Sequence, residues 1–294
     1  MIYEYAVSPE LFSSATFIQT LQHTFGKEEG RLFSEIPKKI WQRQVFEVIK
    51  VSENKPVMRK TMQNAVKNLF KKALYKRNNH PAFDGSEWLQ FVINVHSERP
   101  FRAIIADQYE GDEKFVLVNN LDLADQPLWT VPKDVSVDRE HKVMVQQIRS
   151  MLNCASEIIL VDRNFKPETQ RFQNVLSEIM EMLSKRTHGP SIAKVVYHTG
   201  DSVSVGYLEN QCLRHIKPII PSGMRLEVVV WPKDKLHDRF VLTNIGGVLF
   251  GQGLDERLGF GPDKILITRL SDDTYKEWWS LCKNKTTDFT ICSS

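Results

Sequence analysis

Apolar residues along this 294-residue chain recur in two rhythms, and the rhythm changes near residue 130. After Pro56, Met58, Met62, Ala65, Val66, Leu69, Phe70, Ala73 and Leu74 fall at helical spacing, with Lys60, Lys67, Lys71 and Arg77 off that stripe. The segment predicts an amphipathic, basic helix started by Pro56. Upstream, "SPELFSSATFIQTLQHTF" reads as a helix capped by Ser8, and "QVFEVIKV" as a strand. Downstream, "WLQFVINVH", "PFRAIIAD" and "KFVLVNN" are short apolar runs between polar turns, which predict an antiparallel meander. Residues 1–130 therefore read as a basic α+β domain.

A boundary fits within 121–138, where prolines and acidic residues interrupt the periodicity. Beyond it, helices and strands alternate: a helix over 138–153, strand "EIILVD", helix 167–185, strand "IAKVVYH", helix 203–217 and strand "RLEVVVW". Branched, near-continuous apolar strands separated by long helices predict a parallel sheet covered on both faces. "DRFVLTN" and "GVLFGQG" read as a hairpin, and strand "KILITRL" and helix "DDTYKEWWSLCKN" follow. The expectation is an α/β protein whose second domain, 136–294, is a mixed sheet flanked by helices.

Composition is that of an ordinary soluble protein, and no apolar run is long enough to cross a bilayer. The N-terminus lacks the pattern of a signal peptide, so a cytoplasmic location is expected. The four cysteines form no C-x-x-C pair and have no histidine at metal-ligand spacing, so neither a metal nor a cofactor is expected. Charge changes the picture more. The chain is only +3, yet Lys38–Arg77 holds twelve Lys and Arg against Glu47 and Glu53. Within this window Arg59, Lys60, Lys67, Lys71, Lys72, Lys76 and Arg77 are candidates for contacting a nucleic-acid backbone. A solvated helix face or an anionic membrane surface are the alternatives.

Candidate chemistry gathers where parallel strands end, because ligands bind beyond the carboxyl ends of such strands. Asp162, Arg163, His198 and Trp231 stand there, and "KLHDRFVLTNIGGVLFGQGLDE" follows. On a strand, His237 and Arg239 would share a face while Asp238 points away. Arginine offers a planar fork of donors to phosphate, and histidine can act as base or nucleophile near neutral pH. Asp162, Asp238 and His198 are candidates to orient that pair. The residues leave three readings open: a structural pair, phosphate binding, and phosphodiester cleavage.

At these residues the chain resembles the phospholipase-D-like superfamily, whose signature is H-x-K-x4-D-x6-G-S-x2-N. Counted from His237, Arg239 stands at the lysine, Asn244 at the aspartate, Gly251 and Gln252 at the glycine-serine pair, and Asp255 at the asparagine. His237 and Gly251 match outright. "VDRNF", "LHDRFVL" and "GQGLDE" are also similar to the phospholipase-D-like module at the C-terminus of MIT-domain-containing proteins, over about 138–270. The resemblance implies His237, Arg239 and Asp255 as catalytic candidates, and Arg239, Gly251, Gln252, Asn244 and Arg163 as phosphate ligands. In active members two motifs meet, so one motif per chain implies a homodimer with a metal-independent histidine nucleophile. The MIT-associated branch is regarded as non-catalytic and binds phosphorylated headgroups. The resulting expectation is a nucleic-acid-associated protein or dimeric nuclease in a prokaryotic antiviral defence or DNA-processing system, with protein partners. An adaptor for phosphorylated headgroups or a protein is the alternative.

Overall fold

A computed structural model describes residues 1–77, 80–118, 126–186, 190–257, 259 and 263–293. Residues 121–125 of the expected boundary lie outside the described residues. The chain divides into two compact units, Ile2–Pro132 and Lys133–Ser294, the latter together with Met1. Both are layered α/β structures.

The first unit is built on a five-stranded sheet: β1 (Tyr3–Val7), β2 (Arg31–Ser34), β3 (Leu74–Tyr75), β4 (Ala103–Ala106) and β5 (Val116–Val118). The order is β3-β2-β1-β4-β5, and every pairing is parallel. The antiparallel meander expected here is therefore corrected, and with it the α+β description of this unit. The helices supply the reason: α1 (Ala15–Thr24), α2 (Ile40–Val51), α3 (Pro56–Ala73) and α4 (Trp88–Glu98) lie in the crossovers that parallel strands require. Two segments read as strands are helices. In α4 the buried set is Trp88, Phe91, Val92 and Val95, and in α2 it is Trp41, Val45 and Ile49. Both spacings are helical, and the branched and aromatic residues that suggested strands pack as one stripe against the sheet. Trp41 fixes α2 in place: its ring is fully buried, meets Phe12 and Phe33 at 5.6 Å, and its Nε1–H donates to the Val7 carbonyl at 2.7 Å.

The second unit carries an eight-stranded sheet. Its elements in chain order are β6 (Asp134–Asp138), α5 (His141–Cys154), β7 (Ile158–Val161), α6 (Gln170–Lys185), β8 (Lys194–Gly200), α7 (Val205–His215), β9 (Arg225–Trp231), β10 (Phe240–Thr243), β11 (Gly246–Phe250), β12 (Lys264–Arg269), α8 (Asp272–Lys283) and β13 (Phe289–Cys292). The sheet order is β13-β9-β8-β7-β10-β11-β12-β6. Strands β7, β8 and β9 run parallel, and the remaining pairings are antiparallel. All four residues of β7 are buried, as a strand covered on both faces demands. Ile159 and Val161 pack toward Tyr275, Cys282 and Trp278 of α8. The hairpin of β10 and β11 forms as the pattern indicates. The edge strands β6 and β13, short and partly polar, carried no readable signal.

Candidate phosphate-binding site

Register explains why the candidate residues meet. β7 and β8 run the same way with Val161 opposite His198, and β9 places Trp231 opposite Gly200. β10 runs against β7 with Phe240 opposite Val161, so the segment His237–Arg239 enters at the end where Asp162 and Arg163 leave. β11 pairs Leu249 with Phe240 and exits there too, carrying Gly251–Asp255. One end of the sheet thus gathers every candidate from the second unit except Asn244.

Asn244 lies at the opposite end, in the turn after β10. Its Oδ1 accepts from the backbone N–H of Ser156 at 2.7 Å and of Glu157 at 3.2 Å. It holds the start of β7 and is not a phosphate ligand.

Asp162 is 1% exposed and wholly engaged: Oδ1 accepts from Asn164 N–H at 2.9 Å and Oδ2 from Leu254 N–H at 2.7 Å. Burial, with Asp255 adding to it, raises its carboxyl above the ordinary value, although these two N–H groups and Arg239 act the other way. Asp255 is 4% exposed and clamped by Arg139 and Arg171, with Arg171 Nε at 3.1 Å from Oδ2. Both carboxylates brace the loop Gly251–Asp255 against β7 and are not free for proton transfer. Gly253 is forced by this packing: its φ is +134°, and a Cβ there would meet Asp255 Oδ1 at 2.7 Å and Asp162 Oδ2 at 3.0 Å. Arg139 and Arg171 were invisible in the sequence, because nothing marks a cation 84 or more residues away as the partner of Asp255.

The expected pairing of His237 with Arg239 gives way to a different one. β10 begins only at Phe240, so strand alternation does not govern these residues. Arg163 Nη1 donates to His237 Nδ1 at 2.9 Å, and His237 Nε2–H donates to the Asp234 carbonyl at 2.8 Å. The ring therefore has its lone pair on Nδ1, already covered by a guanidinium N–H. A base or nucleophile needs that lone pair free and a carboxylate behind the ring. Asp238, the nearest acid in sequence, is exposed. Gly251 does not offer its N–H to a ligand either, since it donates to the Leu266 carbonyl at 2.9 Å; Gln252 is exposed at the rim.

What this end of the sheet does offer is donors. His198 is fully buried, and its Nδ1 accepts from Trp231 Nε1–H at 2.8 Å. Burial, with Lys285 adding to it, lowers His198 to about 4, so the ring is neutral at pH 7 and its proton sits on Nε2. That Nε2–H is buried without a partner, and so are Nε of Arg163 and Nε of Arg239. Tyr197, next to His198 on β8, also has a buried hydroxyl without a partner, and burial raises it well above its usual value.

In the first unit, Lys60, Lys67, Lys71 and Lys76 are exposed as a nucleic-acid-facing stripe requires. Arg59 is half-buried, and Lys72 pairs with Glu29 at 2.6 Å. Arg77 is removed from the candidates. It is 1% exposed, lies over the Phe101 ring at 4.0 Å, and pairs with Glu4 at 3.0 Å, where Arg99 is the second cation at 3.1 Å. Among the described residues no helix is long and apolar enough to cross a membrane, and no group of three or more His, Cys, Asp or Glu is arranged to hold a metal.

The chain matches no protein-family model and no curated protein. Among solved structures it is similar to TrmBL2, an archaeal chromatin protein with a novel mode of DNA binding, at 14% identity and a TM-score of 0.26. That similarity spans 51% of this chain and 54% of the other, and at such a score it carries no argument.

Proposed function

We propose that Lys133–Ser294 is a phosphodiester-binding module of phospholipase-D-like type, which the chain uses to hold nucleic acid without cleaving it. One observation carries this reading: three donors, Arg163 Nε, Arg239 Nε and His198 Nε2, are buried without acceptors at the end of the sheet where β7 and β8 stop. A buried donor left unpaired costs about 1–3 kcal/mol, and an anion whose oxygens reach such donors recovers that cost. Phosphate fits the guanidinium fork. Asp162 and Asp255 are engaged by partners of their own, which leaves them occupied as braces of the loop. The occupied lone pair of His237 speaks for binding over chemistry. The cations exposed along α3 favour a polyanion over a single headgroup.

The test is titration of the pure protein with labelled DNA and RNA in EDTA, beside Arg163→Gln, Arg239→Gln and His237→Ala. Binding without cleavage, weakened about tenfold or more in each arginine variant, is the expected result. Cleavage that disappears in His237→Ala would replace this reading with a nuclease. Retention on phosphoinositide vesicles with no affinity for DNA or RNA would replace it with a headgroup-binding adaptor.

A further inference from the structure

We infer that the groove between α2 and α3 is a track for single-stranded nucleic acid. This rests on the phosphodiester reading and names the form of the polymer and a second surface that grips it. The groove has a volume of about 580 Å³. Its lining combines three cations, Lys39, Arg43 and Lys50, with the amides of Gln42 and Gln63 and the ring of Phe46.

Helical periodicity sets this arrangement. On α2, Trp41, Val45 and Ile49 point into the core, which places Gln42 and Phe46 on the neighbouring stripe and Lys39, Arg43 and Lys50 further out. On α3, Met62, Val66, Leu69 and Ala73 are buried, and Gln63 leads outward to Lys60, Lys67 and Lys71. The groove thus has an aromatic and amide floor and a cationic bank along α2, with Lys60, Lys67 and Lys71 exposed on α3 beyond Gln63. Lys60, Lys67 and Lys71 succeed one another at about 10 and 6 Å along the axis. Arg59, one turn before Gln63, has a buried Nε without a partner. Phe46 is held edge-on by Phe70 at 5.9 Å, which fixes its orientation.

The carboxylates present do not oppose an anion strongly. Glu35 is 3% exposed, and its Oε1 accepts from Lys39 N–H at 3.0 Å and Gln42 Nε2 at 2.7 Å. Glu47, exposed, lies 3.3 Å from Lys50, so the lining holds three cations against two carboxylates. The shape decides between strand forms. A duplex is read by elements that protrude into its grooves, whereas an open floor with an aromatic ring and amides beside a cationic bank suits unstacked bases.

Fluorescence anisotropy of the full-length protein with labelled single-stranded DNA, single-stranded RNA and a duplex of equal length, across a salt series in EDTA, tests this. Expected is tighter binding of a single strand than of duplex, with the DNA and RNA arms identifying the polymer. Arg43→Gln combined with Lys50→Gln, both exposed positions, should weaken single-strand binding by about tenfold and lower the log–log salt slope by about 1.4. Phe46→Leu should weaken binding by about fivefold with the slope unchanged, because it removes a stacking face and no charge. Wild-type affinity and slope in the double variant would overturn the inference, as would tighter binding of duplex. Displacement of the oligonucleotide by polyglutamate at equal charge would overturn it in favour of an acidic protein partner. If the groove variants lose affinity while Arg163→Gln does not, the groove stands and the phosphodiester site falls. The reverse result separates them the other way.

Discussion

Replacing His198 by Gln isolates the cost of keeping an imidazole buried beside the site. The folded chain holds His198 at about 4, against 6.5 for an exposed imidazole, because the ring is fully buried with Lys285 nearby. Between these values the unfolded chain takes up a proton that the folded chain refuses. Stability from this group is therefore fully present above pH 6.5 and is lost as pH falls toward 4. The whole gap is worth about 3 kcal/mol, of which about 2 kcal/mol is lost between pH 7 and pH 5. Glutamine keeps an acceptor for Trp231 Nε1–H but does not titrate. Urea unfolding of Lys133–Ser294 within the full chain at pH 7 and pH 5, followed by the fluorescence of Trp231, Trp278 and Trp279 in a background with Trp41, Trp88 and Trp129 replaced by Phe, gives the comparison. Every other titrating group is common to both proteins and cancels in the difference. Wild type should lose about 2 kcal/mol more than His198→Gln over this interval. Parallel losses would mean that His198 is solvated or already protonated, and its Nε2–H could not be counted among the unpaired donors.

Three further outcomes follow from the packing. Gly253→Ala should destabilise the second unit by about 2–3 kcal/mol in thermal melts, since the new Cβ has both a positive φ and two carboxylate oxygens against it; a neutral effect would mean the Gly251–Asp255 loop is not braced as described. Arg77→Met should cost about 3–5 kcal/mol in urea unfolding by leaving Glu4 short of a buried cation, yet leave oligonucleotide affinity unchanged in the fraction that folds; a selective loss of affinity would return Arg77 to the binding surface. Asn244→Ala should lose about 1–2 kcal/mol of stability with phosphate binding intact, because its Oδ1 serves two backbone N–H groups far from the donors; weakened phosphate binding at unchanged stability would contradict that placement.

The second unit was legible because its signals are local. Runs such as "EIILVD" and "RLEVVVW" are apolar at every position only when both faces are covered, and the helices between them leave a parallel sheet as the arrangement that closes. The same rule pointed to the strand ends, and Asp162, Arg163, His198, His237, Arg239 and Asp255 do gather there. In the first unit the branched and aromatic content of "WLQFVINVH" and "QVFEVIKV" outweighed a helical spacing that was also present; "PFRAIIAD" and "KFVLVNN" do hold β4 and β5, but β1, β2 and β3 went unread because they run as short as Leu74–Tyr75. Periodicity over eight or nine residues cannot separate a buried helix from a strand; the parallel sheet they cover does. Pairing was decided by tertiary structure alone. That Arg163 and not Arg239 meets His237, that Asp255 is saturated by Arg139 and Arg171, and that Arg77 is buried against Glu4 depend on which segments the register brings together. A side chain's type fixes what it can bind; whether it is free to do so is set by neighbours that lie far away in sequence.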